Sequence, residues 1–189
     1  HKAIRRQRQM CIRDSIYADS IEEGKYDHNA YYNSGSYNVY YGNKLVATIK
    51  DHNGGQGWGT ITYDQGLYHS SNVAICNLLD QGYVTKDVLT EKLNDLGFFQ
   101  GDTMDGLTCS SSINAYTRKN AGRLEYLTTG FGQGSTVTPY QLLKAYSVFG
   151  NDGKTVQPHI VDKVVNPETN KVVYQATPKY SKQIFSTNT

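Results

Sequence analysis

Ser70-Ser71-Asn72 sets a hydroxyl and a carboxamide two residues apart, at the point where one apolar helical pattern stops and the next begins. A serine hydroxyl both gives and accepts a proton, and an asparagine amide accepts from a peptide N–H while donating to its C=O. Together the two groups could relay a proton and clamp a peptide backbone. On one regular helix, residues i and i+2 point to nearly opposite sides, so Ser70 and Asn72 converge on a ligand only if the backbone breaks between two helices. Taken alone, the triplet reads first as a plain helix N-cap, because serine and asparagine are common there.

The flanking residues predict that break. Thr62 and Gln65 form a T-x-x-Q capping box that starts a short helix ending near His69, and a second helix runs from about Ser71 to Leu79, punctuated by Gly82. Upstream, residues 51–59 are a glycine-rich turn, and the tyrosine-crowded residues 26–41 read as an extended loop with short strand pieces at Tyr37, Val39 and Tyr41. Downstream, Thr85 begins a helix through Val88, Leu89, Leu93 and Leu96, stopped by Gly97. The stretch between Gly97 and Gly130 reads as irregular. Thr138-Pro139-Tyr140-Gln141 is a second capping box, with Pro at N1, launching a helix through Leu142, Leu143, Ala145, Tyr146 and Phe149. Two β-branched runs around Asn166-Pro167-Glu168-Thr169-Asn170 predict a strand, turn, strand hairpin.

The segment W-G-T-I-T-Y-D-Q-G-L-Y-H-S-S-N-V, followed by F-G-Q-G-S-T-V-T-P-Y-Q-L-L-K-A-Y, resembles the transpeptidase domain of class B penicillin-binding proteins, and the likeness covers residues 16–177. In that family a serine nucleophile and a lysine come from S-x-x-K, a second motif is S-x-N, and K-[ST]-G lies on a strand beside the cleft. Only S-x-N is present here. No serine in the chain begins S-x-x-K, and Lys154-Thr155-Val156 lacks the glycine of the third motif and reads as a turn.

Residues 1–15, H-K-A-I-R-R-Q-R-Q-M-C-I-R-D-S, do not match the rest. Five basic side chains against Asp14 give this stretch +4, which leaves −2 for the remainder of a +2 chain. The string looks like translated sequencing-adapter text, so a non-native leader without a fold is expected at 1–15 and a truncated transpeptidase domain at 16–189. Aligned on I-E-E-G-K-Y-D, the missing serine falls near Cys11 and the missing lysine near Asp14. Cys11 is not read as a nucleophile, because a reactive thiol needs a base or cation held beside it.

A chain of 189 residues with 38% hydrophobic content is long enough for one globular domain. Cys76 reads as core, and no C-x-x-C spacing suggests a metal. No run approaches the roughly 20 apolar residues of a membrane span. His52 reads as a turn residue, with no acid or second histidine at a useful spacing, and His69 as helix-end packing, because the resembled family's proton shuttle is a lysine and not an imidazole. The glycines of G-F-G-Q-G lack dinucleotide spacing and a surrounding β-α-β unit. Basicity confined to Arg5, Arg6, Arg8 and Arg13 gives a nucleic-acid-binding reading little support.

The expected fold is α/β of the α+β type: the helical side of the transpeptidase domain plus a C-terminal β-hairpin of its antiparallel sheet. The resemblance implies a fragment of a serine D,D-transpeptidase that cross-links peptidoglycan through an acyl-enzyme. Ser70 and Asn72 are the catalytic candidates, and the fragment is expected to be inactive without its nucleophile. The implied partners of the parent are peptidoglycan stem peptides and β-lactams, with no cofactor, no metal and no nucleic acid. The parent is expected on the outer face of a bacterial plasma membrane, through an anchor upstream of this chain. The alternative is a non-catalytic peptide-binding or structural module of the same fold.

Overall fold

A computed structural model describes residues 2–110 and 112–189, with side chains from Cys11 onward. Its described residues form helices α1 (Lys2–Glu22), α2 (Tyr63–Tyr68), α3 (Asn72–Asp80), α4 (Lys86–Asp95), α5 (Arg123–Gly130) and α6 (Pro139–Tyr146). Strands are β1 (Tyr31–Asn33), β2 (Ser36–Tyr41), β3 (Lys44–Lys50), β4 (Thr60–Thr62), β5 (Asp102–Met104), β6 (Leu107–Cys109), β7 (Lys163–Val165) and β8 (Val172–Gln175).

The first fifteen residues, expected to lack a fold, are helical from Lys2, and α1 passes through the boundary at residue 15 without interruption. The reason is burial. Cys11, Ile12, Ser15 and Ile16 recur at helical spacing and are all buried, with α1 packed against α3, α4, α5 and α6. Two hydroxyls that would be unsatisfied in that interior bond back along the helix, Ser15 to the Cys11 carbonyl at 2.8 Å and Ser20 to the Ile16 carbonyl at 2.7 Å.

All the helix starts expected after residue 60 are present, and each is explained by its cap. The Thr62 and Gln65 capping box closes in both directions, as does that of Thr138 and Gln141 with Pro139 at N1, and Thr85 caps α4 through the Val88 N–H. Besides a 3-10 turn at Ala115–Thr117, two elements arise where the sequence reads as irregular. One is α5, whose last residue, Gly130, lies so close to its neighbours that an added Cβ would meet Leu79 Cδ1 at 2.7 Å and Ile75 Cγ2 at 2.8 Å. The other is the β5–β6 hairpin, turned by Asp105-Gly106 with both residues at positive φ.

The strands pair two by two, all antiparallel: β1 with β4, β2 with β3, β5 with β6 and β7 with β8. The expected C-terminal hairpin is therefore present. Among the described residues it pairs only with itself, and every residue of both strands is exposed. One continuous apolar core joins α1, α3, α4 and α5 to the inner faces of β2, β3 and β4 and to Ile184 and Phe185 near the C-terminus. That last segment is tied down by Lys92, which donates to the Ile184 carbonyl at 2.7 Å, and by Glu22, which accepts from the Ser186 N–H at 2.7 Å. No helix among the described residues is long and apolar enough to cross a membrane.

Candidate functional site

The break predicted between the two helices is one residue wide. After α2, His69 is the C-cap, Ser70 turns left-handed with φ 56°, and Ser71 is already the N-cap of α3. The Ser71 N–H reaches the Gly66 carbonyl at 2.8 Å and the Ser70 N–H the Leu67 carbonyl at 2.9 Å, the paired bonds of a Schellman ending. The left-handed position of that motif ordinarily belongs to glycine. A serine there costs on the order of 1–2 kcal/mol, so the fold holds this residue in a conformation its own backbone disfavours.

The three side chains of the triplet divide accordingly. Ser71 is fully buried and caps α3, its hydroxyl accepting from the Ala74 N–H at 3.0 Å. Ser70 and Asn72 leave on the other side and meet a common partner, Arg13 of α1. One guanidinium N–H group donates to the Ser70 hydroxyl and a second to Asn72 Oδ1, the latter at 2.9 Å. The Asn72 Nδ2 donates in turn to the Lys50 carbonyl at 2.8 Å, which fixes the oxygen end of the amide toward Arg13.

A carboxylate stands behind this turn. Asp51, 2% exposed at the end of β3, accepts through Oδ1 from the Ser71 hydroxyl at 2.9 Å, the Asn72 N–H at 2.7 Å and the Val73 N–H at 3.1 Å. Its Oδ2 accepts from the Gly35 N–H at 2.8 Å. An anion at a helix N-terminus is favoured by the free N–H groups and the dipole there, and α3 has no acidic residue of its own in its first turn. The sequence reading treats Asp51 only as the first residue of a turn. The signal that could have found it is a lone acid preceding a glycine-rich segment, with no partner nearby in sequence.

Arg13 is itself buried, with its Nε unpartnered among the described residues, and burial pulls its affinity for a proton down while the charges of Asp14 and Asp51 oppose that shift. Arg13 faces the turn, and its neighbour Asp14 lies toward Tyr146. Cys11 points into the core, where burial and the nearby Asp14 push its thiol up to about 12, the reverse of what a nucleophile needs. Cys76 is likewise buried, and burial raises its pKa.

His69 packs as a helix end, its ring stacked on Trp58 at 4.4 Å, and His52 lies exposed with its ring centroid 5.4 Å from the same indole. Lys154-Thr155-Val156 is less simple than a turn: Lys154 closes one on the Asn151 carbonyl, Thr155 is buried, and Val156 forms an isolated antiparallel bridge with Tyr180. Gly130 of G-F-G-Q-G serves helix packing.

A family model described as the penicillin binding protein transpeptidase domain matches residues 16–189. The chain belongs to this family. Among its relatives, Stage V sporulation protein D of Bacillus subtilis (strain 168) is 32% identical over 133 residues, covering 70% of this chain and 20% of the relative. The peptidoglycan D,D-transpeptidase FtsI homolog of Mesostigma viride is 27% identical over 109 residues, covering 56% of this chain and 18% of that protein. The chain thus spans about a fifth of the length of these curated relatives. In fold it is similar to penicillin-binding protein A from M. tuberculosis, solved as an imipenem acyl-enzyme complex, with a TM-score of 0.76 at 13% identity over 97% of this chain and 40% of that one. The penicillin-binding transpeptidase fold is present here in part, as a mixture of helices and strands.

Proposed function

We propose that this chain is part of a serine D,D-transpeptidase that cross-links peptidoglycan stem peptides, and that Ser70 and Asn72 are its S-x-N catalytic pair. The observation that carries the reading is their convergence: a hydroxyl and an amide oxygen, two residues apart, meet one cation from α1. In the parent, the S-x-x-K serine attacks a D-Ala-D-Ala carbonyl, an amine from a second stem peptide resolves the acyl-enzyme, and the lysine carries protons. Ser70 extends that relay, and Asn72 holds the peptide backbone.

Two features argue that residues 1–189 do not turn over. No S-x-x-K serine or K-[ST]-G strand occurs in the sequence. The cation facing Ser70 is moreover a guanidinium, which stays protonated and cannot serve as a base the way a lysine amine does. Counting back three residues from Arg13 reaches Met10, so the adapter-like stretch stands in place of the nucleophile-bearing segment. The parent acts on the outer face of a bacterial plasma membrane and is acylated by β-lactams.

Purified 1–189 is expected to form no covalent adduct with a fluorescent penicillin in denaturing gels. The complete gene is expected to encode S-x-x-K in place of residues 10–13 and K-T-G after residue 189, and in that protein Asn72→Ala should slow acylation by about 10²-fold or more. An adduct on 1–189, or unchanged acylation in the complete Asn72→Ala enzyme, would sink the proposal. A genuine start and stop codon at the ends of this chain would favour the non-catalytic module, in which Arg13 is a fixed cation for a peptide.

A further inference from the structure

We infer that Asp51 is a positioning residue: from the end of β3 it makes a helix begin at Ser71, and so holds the Ser70 hydroxyl and the Asn72 amide on one side. The inference rests on the reading of S-S-N as the reacting turn.

The alternative open to this sequence is a continuous helix from α2 into α3. In that conformation the N–H groups of Asn72 and Val73 would bond to the carbonyls of Tyr68 and His69, Ser70 would relax to a right-handed φ, and the side chains at 70 and 72 would diverge. Asp51 opposes it directly, because its Oδ1 takes those two N–H groups at 2.7 and 3.1 Å together with the Ser71 hydroxyl. Oδ2 anchors the same carboxylate to Gly35, so the turn is referenced to the β2–β3 hairpin and not to either helix. The adjoining Lys50 carbonyl then selects the amide orientation by taking Asn72 Nδ2. Two consecutive residues of one strand end therefore set both the backbone and the amide of the pair.

The test uses Ser70→Cys in the full chain as a local probe. A thiol beside the Arg13 guanidinium should be alkylated by iodoacetamide with a pH midpoint below the ordinary thiol value of about 8.5. Peptide-mapping mass spectrometry separates it from the buried Cys11 and Cys76 and from Cys109. Adding Asp51→Asn should move that midpoint up by about one pH unit, as the thiol swings away from the cation. Loss of the Asp51 charge alone would move it down, so the sign distinguishes position from charge. Asp51→Glu keeps the charge but displaces the acceptor, and it should also shift the midpoint up, which covers the case in which Asp51→Asn does not fold. Midpoints that stay put or fall in a folded variant overturn the inference while leaving the catalytic reading intact. A midpoint at the ordinary value already in the Asp51 background overturns the Arg13 contact and both readings with it.

Discussion

The left-handed serine gives a measurable separation of strain from chemistry. Ser70→Gly and Ser70→Ala both delete the hydroxyl that Arg13 holds, but only glycine adopts φ 56° freely. Ser70→Gly is therefore expected to be about 1 kcal/mol more stable than Ser70→Ala in urea denaturation, and equal stabilities would show that the turn relaxes in solution. A second residue-scale effect comes from Asp19 of α1, fully buried with neither carboxylate oxygen hydrogen-bonded among the described residues. Burial pushes its pKa up to about 8, against the pull of Lys92 and with the help of Glu23 and Glu22. The folded state thus keeps a proton that the unfolded chain releases near pH 4, so this carboxyl favours folding most below pH 4 and its contribution is lost as pH rises to about 8. Denaturation of the native chain and of Asp19→Asn, compared at pH 5 and pH 9, should show the variant gaining a few kcal/mol relative to the native chain at the higher pH. A difference that does not change with pH would show that Asp19 titrates normally.

Among the elements, what the sequence discloses follows the kind of signal each one uses. Thr62, Thr85 and Thr138 announce their helices because the cap and its partner lie three residues apart, and the S-S-N junction is readable for the same reason. The α5 helix has no such notice, since its N-cap is Gly122 with no side chain to bond. The β5–β6 hairpin does carry one in Asp105-Gly106, a pair that suits a two-residue turn, yet its strands are too short to alternate. Asp51 is the part the sequence marks most faintly, by a lone acid before a glycine-rich segment, because its donors at 71–73 and at Gly35 lie about twenty and sixteen residues away. Close helix packing is equally silent in sequence. Gly130→Ala would drive a methyl into Leu79, Ile75 and Ile16 at once, forcing α5 off α3 and α1. The expected loss is about 1–3 kcal/mol with the melting transition still cooperative, and no loss would mean that these helices are not in contact as described.

Over the whole molecule, the apolar core runs from α1 to Phe185, and the clasp of Glu22 on Ser186 closes it across most of the chain. Outside that closed body stands β7–β8, with Val164, Val165, Val172, Val173 and Tyr174 all open to solvent. A two-stranded ribbon has two outer rims of unused N–H and C=O groups, and natural sheets guard such rims with charge, proline or a covering element. This ribbon carries a single charge, Lys163, in strands that are otherwise mostly valine. In concentrated solution the folded protein is therefore expected to self-associate rim to rim, with light scattering that grows with concentration and is lowered by Val173→Lys. Scattering unaffected by that change would place the sticky surface elsewhere, and handling at low concentration is the practical corollary for anyone preparing the chain.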